Sequence, residues 1–116
     1  MSYRRGNVIL VRFPNSDLKT YKKRPALIVQ ADNITTDLPQ RVVACITTNI
    51  SRRGETRIPV IKDSPEWGTT GLIDNCVIMM DNLATVLERE IDKTIGHYPK
   101  MQLVDEALIK ALGLKK

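Results

Sequence analysis

His97 is the only histidine among the 116 residues of this chain. Acid–base catalysis by two histidines within one copy is therefore excluded. Set between Gly96 and Tyr98, far in sequence from the basic segments, His97 reads as a surface or structural residue. Aromatic residues are also scarce, with one Trp, one Phe and three Tyr. Ring stacking cannot dominate recognition of any ligand. The two cysteines, Cys45 and Cys76, stand alone in apolar segments, without metal-ligand spacing or a disulfide pattern. They read as small core residues in a reducing cytosol. No cluster of Asp, His and Cys has metal-ligand spacing, and Glu88, Glu90 and Asp92 read as a solvated face. The chain shows no apolar stretch long enough to span a bilayer and no signal-peptide core, so a soluble, cytoplasmic protein is expected. Repeats and low-complexity segments are missing as well, which predicts one domain over residues 1–116.

What the chain does have is positive charge. Eighteen Lys and Arg against thirteen Asp and Glu leave a net charge of +5. The excess is uneven: Arg4, Arg5, Arg12, Lys19, Lys22, Lys23, Arg24, Arg41, Arg52, Arg53 and Arg57 precede the middle of the chain, whereas most acids follow it. A basic half of this kind is the electrostatic footprint of a phosphate binder. A surface charged only for solubility is the plain alternative.

The run Lys22-Lys23-Arg24-Pro25-Ala26-Leu27-Ile28-Val29 concentrates that signal. Pro25 restricts the residue before it to extended geometry and is tolerated where a strand begins. Arg24 is thereby held at the rim of a sheet. A rigid, permanently charged fork suits a phosphate better than a core, and points toward nucleic acid.

Apolar, β-rich runs predict strands at Asn7–Phe13, Pro25–Gln30, Arg41–Thr47 and Thr56–Ile61, the second central and the fourth demoted to an edge by Pro59. Further short strands are expected at Cys76–Met80, Leu83–Leu87 and Thr94–His97, with Pro14–Lys23 and Asp32–Pro39 as loops. Asn49–Gly54 reads as a basic turn, and Lys62–Gly71 as a loop holding Trp67. From Lys100 the apolar residues Leu103, Val104, Ala107, Leu108, Ala111 and Leu112 recur at helical spacing. Pro99 fits the start of that helix and Gly113 its end. The pattern describes a mainly β protein, a small curled barrel with a C-terminal helix.

Five segments stand out in order: Arg5-Gly6-Asn7-Val8, Arg24 to Val29, Ala44-Cys45-Ile46-Thr47-Thr48, Val77 to Thr85, and Val104 to Leu108 with Leu112-Gly113-Leu114. In this order and spacing they resemble the PemK/MazF toxins of bacterial toxin–antitoxin pairs, which are ribosome-independent endoribonucleases. Arg5-Gly6-Asn7-Val8 is similar to the family's opening Arg-Gly-Asp-Val. Arg24-Pro25-Ala26-Leu27-Ile28-Val29 resembles its Arg-Pro strand, and Ala44-Cys45-Ile46-Thr47-Thr48 its strand ending in Ile-Thr. Val77 to Thr85 is similar to its apolar run followed by an acid and, two residues after an amide, a threonine. Val104-Asp105-Glu106-Ala107-Leu108 with Leu112-Gly113-Leu114 resembles its terminal helix. The resemblance implies an SH3-like barrel, a homodimer, and cleavage of single-stranded RNA without metal or other cofactor. It also implies an antitoxin whose acidic, initially disordered tail occupies the RNA groove.

The resemblance further places Arg24 and Thr47 at the scissile phosphate as catalytic residues. The RNA's own 2′-hydroxyl would attack phosphorus, leaving a 2′,3′-cyclic phosphate and a 5′-hydroxyl. Arg24 would neutralise the phosphate oxygens, an electrostatic role favoured over proton donation because guanidinium stays charged. Thr47 would donate an orienting hydrogen bond. Asn15, Lys19, Lys22 and Lys23 in the first loop, and Thr48, Asn49, Arg52 and Arg53 around the basic turn, are candidates to track the RNA backbone. Asp81 and Asn82 match the family's acid–amide pair and are candidates to read base edges. Tyr21 and Trp67 are candidate stacking platforms. Mobile, solvated side chains are the alternative for each of these loop positions.

Two departures stand out. The family's first loop commonly carries Gly-Ser-Glu-Gln-Gly before Arg-Pro, whereas Ser16-Asp17-Leu18-Lys19-Thr20-Tyr21-Lys22-Lys23 is more basic and lacks glycine. Some plasmid members use an arginine two residues before the strand acid, and Met79 stands there in this chain. Two rival readings follow: a non-catalytic, CcdB-like toxin that poisons DNA gyrase, or an RNA-binding barrel that has lost activity. The Arg-Pro and Ile-Thr pair argues against the first.

Overall fold

The structure, a computed structural model, describes residues 3–14, 17–34 and 36–115. Strands β1 (Asn7–Pro14), β2 (Tyr21–Ile28), β3 (Gln40–Thr47), β4 (Arg57–Val60), β5 (Cys76–Leu87) and β6 (Ile91–His97) form one sheet in the order β4-β5-β3-β2-β1-β6. Every pairing is antiparallel. A short helix α1 (Pro65–Gly68) lies between β4 and β5, and α2 (Met101–Leu112) follows β6.

The inner strands bury both faces, which is why they read as unbroken apolar runs. Val8, Leu27, Ala44 and Ile78 enter one cluster, while their neighbours Ile9, Ala26, Ile28 and Val43 enter another. The first cluster joins Ile58 and Val60 of β4 to Ile95 of β6, the two ends of the strand order, so the sheet must curl. Val104 and Ala107 seat α2 on that cluster. Each such Val, Leu or Ile contributes roughly 1.5–3 kcal/mol by leaving water.

The mainly β architecture with its C-terminal helix is as expected, and β4 is indeed an edge strand. Gly113 takes φ 68°, and the amides of Gly113 and Leu114 donate to Lys110 and Ile109, closing α2 as a left-handed cap. The helix's apolar stripe is narrower than its spacing predicts, because Leu103 and Leu112 stay exposed. Arg5 ties helix to sheet, its Nη2 lying 2.6 Å from Asp105 and its Nε donating to the Val29 carbonyl at 2.9 Å.

Three boundaries differ from the sequence reading. The loop expected at Pro14–Lys23 is shorter, since Arg12, Phe13 and Pro14 pair with Lys23, Lys22 and Tyr21 in a polar arm without an apolar signature. The two strands expected at Cys76–Met80 and Leu83–Leu87 are one strand. Ala44 pairs with Leu83 and Cys45 with Met79, so Met80, Asp81 and Asn82 form a bulge where the sequence shows a gap. β6 begins at Ile91 rather than Thr94. Within the expected loop after β4, Gly71 takes φ +76°, and a Cβ there would lie 2.1 Å from the Ile95 carbonyl oxygen. Only glycine lets this loop press against β6.

Candidate active site

β2 and β3 pair at Ile28 with Val43, Leu27 with Ala44 and Ala26 with Cys45, and there the ladder stops. The same register, carried two residues further, sets Arg24 opposite Thr47. The strands part instead: Tyr21–Pro25 stays with β1 alone, and β3 continues along β5 to Thr47. Pro25 stands at the parting and has no N–H to offer β3. A cavity of about 430 Å³ fills the opening.

Arg24 and Pro25 of β2 face Cys45, Ile46 and Thr47 of β3 across this cavity, with Phe13 of β1 and Met79 and Asn82 of β5 beside them. Arg57 of β4 and Arg52 of the preceding turn complete it. Among the described residues its charged lining is three guanidiniums and no carboxylate. A cavity so lined repels a divalent cation and attracts a phosphate.

Arg24 is exposed and forms no ion pair with the described residues. Its charge is therefore available to a ligand. The Thr47 hydroxyl oxygen accepts the Asn49 amide at 3.1 Å. That bond fixes the oxygen and leaves the O–H proton to be donated. The turn closes with Asn49 Oδ1 accepting from the Ser51 hydroxyl at 2.6 Å and the Arg52 amide donating to the Asn49 carbonyl at 3.2 Å. In this way Arg52 reaches the cavity. Burial pushes the Cys45 thiol up, although the nearby Arg24 charge opposes the shift. Cys45 is thus a protonated wall rather than a nucleophile.

The other sequence candidates disperse. Asn15 lies outside the described residues. Lys22, two residues before Arg24, is exposed at the outer end of β2 and does not line the cavity. Lys19 is exposed in a turn organised by Asp17, whose carboxylate accepts the amides of Lys19 and Thr20 at 2.9 and 3.0 Å. Those bonds hold the Asp17 carboxyl below its usual range. Lys23 falls on the alternate face of β2 and lies 3.4 Å from Asp92 of β6. Arg53 turns back to donate to the Ile50 carbonyl. Thr48 borders a separate apolar pocket with Leu72 and Ile73. Tyr21 lies under the Arg12 guanidinium, 5.2 Å from it, outside the cavity. Trp67 packs on the main cluster and donates its Nε1 to Asp74, away from the site. His97 is exposed on β6, and its backbone joins Thr69.

The bulge in β5 separates the acid–amide pair. Asn82 lines the cavity, while Asp81 does not. Asp81 instead accepts two hydrogen bonds from Arg57, Nε at 3.1 Å and Nη2 at 2.9 Å. Arg57 holds the Asp81 carboxyl below its usual range, which disfavours it as a proton acceptor. Arg57 itself escaped the sequence reading. Strand alternation sets it on the face opposite Ile58 and Val60, but nothing local tells which strand lies beside β4.

Residues 4–112 match the PemK-like, MazF-like toxins of type II toxin–antitoxin systems. No curated protein matches the chain significantly by sequence. Among solved structures, the chain is similar to the Mycobacterium tuberculosis toxin MazF-mt6, at 26% identity and a TM-score of 0.74, over 95% of this chain and 99% of that one. A mycobacterial endoribonuclease solved with its cognate antitoxin is similar at 25% identity and a TM-score of 0.74, over 99% of both chains. A MazE–MazF complex from Deinococcus radiodurans shares the fold at 12% identity and a TM-score of 0.73, over 99% of both chains. With a match spanning nearly its whole length, the chain belongs to the PemK-like, MazF-like toxins of type II toxin–antitoxin systems.

Proposed function

We propose that this protein is a sequence-selective endoribonuclease toxin, acting on single-stranded RNA in the cytoplasm without a metal ion. Its residues 1–116 would form one toxin domain, paired with a second copy and neutralised by an antitoxin with an acidic tail. The observation that carries the reading is the parted ladder, which puts an exposed guanidinium and an oriented hydroxyl on one cavity.

In this reading Arg24 binds the non-bridging oxygens of the scissile phosphate, and Thr47 donates its O–H to the same group. The 2′-oxygen attacks phosphorus, the bond to the 5′-oxygen breaks, and a 2′,3′-cyclic phosphate forms. The 2′-hydroxyl proton passes to water, and the departing 5′-oxygen takes one up. Charge gathering on phosphorus oxygens is met by donors already in place, where electrostatic catalysis is largest. Among the described residues the lining carries cations and no carboxylate, which supports a reaction that needs no bound cation. Asn82, which lines the cavity, reads an unstacked base in this account.

The test is purified protein with a long RNA in a chelator, with product ends mapped and gyrase supercoiling assayed alongside. Discrete cuts ending in cyclic phosphate support the reading. Intact RNA with inhibited supercoiling would replace it with gyrase poisoning, and intact RNA that is still bound would replace it with an inactive RNA-binding barrel.

A further inference from the structure

Arg57 stands directly opposite Met79 in the β4–β5 ladder. The row continues from Met79 to Cys45 and from Cys45 to Ala26. Side chains in one such row share a face of the sheet. Arg57 therefore reaches the same cavity floor as Cys45, beside the position where β5 itself carries Met79 rather than a cation. Two of its five N–H groups are taken by Asp81, leaving three. Asp81 lies behind it, in the bulge and outside the cavity lining. A carboxylate so placed fixes the fork without presenting negative charge to the ligand.

We propose that Asp81 is a positioning residue that holds Arg57 as a second phosphate ligand, for the phosphate adjoining the one taken by Arg24. The inference deepens the nuclease reading and rests on it. Single-stranded RNA carries a phosphate at every nucleotide, so a chain seated on Arg24 must bring the next one along the cavity. Arg52 also lines the cavity, but its side chain is exposed and has no hydrogen-bonding partner among the described residues. A clamped fork loses less rotamer freedom on binding than a free one. Arg57 is accordingly the better-prepared ligand. Asp81 then acts on RNA through Arg57, and Asn82 alone of the pair is left to read a base.

The test uses the full chain, with binding to a 2′-O-methyl single-stranded RNA over a salt series and cleavage kinetics on unmodified RNA. Arg57→Gln is expected to flatten the salt dependence by about 0.7, the slope of one single-strand phosphate contact. KM should rise about tenfold, from losing one charged hydrogen-bonding partner, with kcat changed far less. Asp81→Asn should raise KM in the parent and do nothing further once Arg57→Gln is present. An Arg57→Gln protein with parental slope and KM overturns the proposal. So does an Asp81→Asn effect that persists undiminished without Arg57, because Asp81 would then touch RNA itself. If Arg57→Gln does not fold, Arg57→Lys replaces it, with raised KM and parental slope expected, and an unchanged KM overturning the idea. A parent protein that neither binds nor cuts RNA defeats the nuclease reading beneath; unaffected Arg57 variants of an active parent defeat only this inference.

Discussion

Thr47 faces Arg24 across a ladder that has already parted, two residues beyond its last pair at Ala26 and Cys45. Hydrogen-bonded strands lie only about 4.8 Å apart, too close to admit a ligand between facing side chains. By ending the β2–β3 ladder at Ala26, the fold keeps the register that aligns the two residues while opening room for a phosphodiester. The rigid, paired half of each strand positions its own loosened end.

Thr47→Val removes the hydroxyl and keeps the branched shape. It should lower the single-turnover cleavage rate by about two to three decades, as losing one preorganised donor does. Because the Asn49 amide loses its acceptor, the variant should melt cooperatively but a few degrees below the parent, a loss of about 1 kcal/mol that cannot account for the drop in rate. A parental rate would mean that the Thr47 hydroxyl, though held by the Asn49 amide, does not serve the reaction.

Replacing the nucleotide on the 5′ side of a mapped cut by its 2′-deoxy form removes the nucleophile assigned to the substrate. Binding should persist while cleavage at that position disappears. Products from such a substrate would show that the attacking oxygen comes from elsewhere, since a chain without the 2′-oxygen cannot form the cyclic phosphate.

The pH profile follows from what lines the cavity. Arg57 holds Asp81 below its usual 3.8, so the pair is intact above that value and is lost only as pH falls through the lower one. Cys45 is pushed up from its usual 9.0 and stays protonated at neutral pH. No histidine lines the cavity among the described residues. Cleavage between about pH 5 and 8 should therefore show no inflection near the ordinary histidine value of about 6.5. A bell-shaped profile centred there would require a titrating group that the account leaves out, with His97 the one histidine to test.

Gly71→Ala tests the packing that fixes β6. A side chain at φ +76° costs roughly 1–3 kcal/mol in backbone strain alone. The added Cβ would also meet the Ile95 carbonyl, which cannot yield without moving β6. Urea unfolding should show a loss at least that large. A variant as stable as the parent would show that the 69–71 loop is not held against β6 as described.

Legibility in the sequence tracked how local each signal is. The place of Arg24 at the rim of β2 was readable because Pro25 beside it restricts its backbone, whereas Thr47 was singled out only by the family resemblance of the strand it ends. Gly113 was readable because a left-handed cap is a one-residue requirement. Arg57 was not, since its approach to Asp81 and Met79 depends on β4 pairing with β5, a relation across 22 to 24 residues that no local pattern encodes. Lys23 was misplaced for a similar reason. Strand alternation turns it away from Arg24 toward Asp92, and the polar arm gave no apolar rhythm from which to count. The bulge in β5 left only a gap between two strands, where the structure has one strand that redirects Asp81 and Asn82.

The most direct measurement is single-turnover cleavage of a short RNA carrying one mapped cut, comparing the parent with Arg24→Ala and measuring RNA affinity for both. The account predicts a rate constant lower by about two to three decades, roughly 3–4 kcal/mol of transition-state stabilisation, with affinity reduced far less. An Arg24→Ala protein that cuts at the parental rate would contradict it.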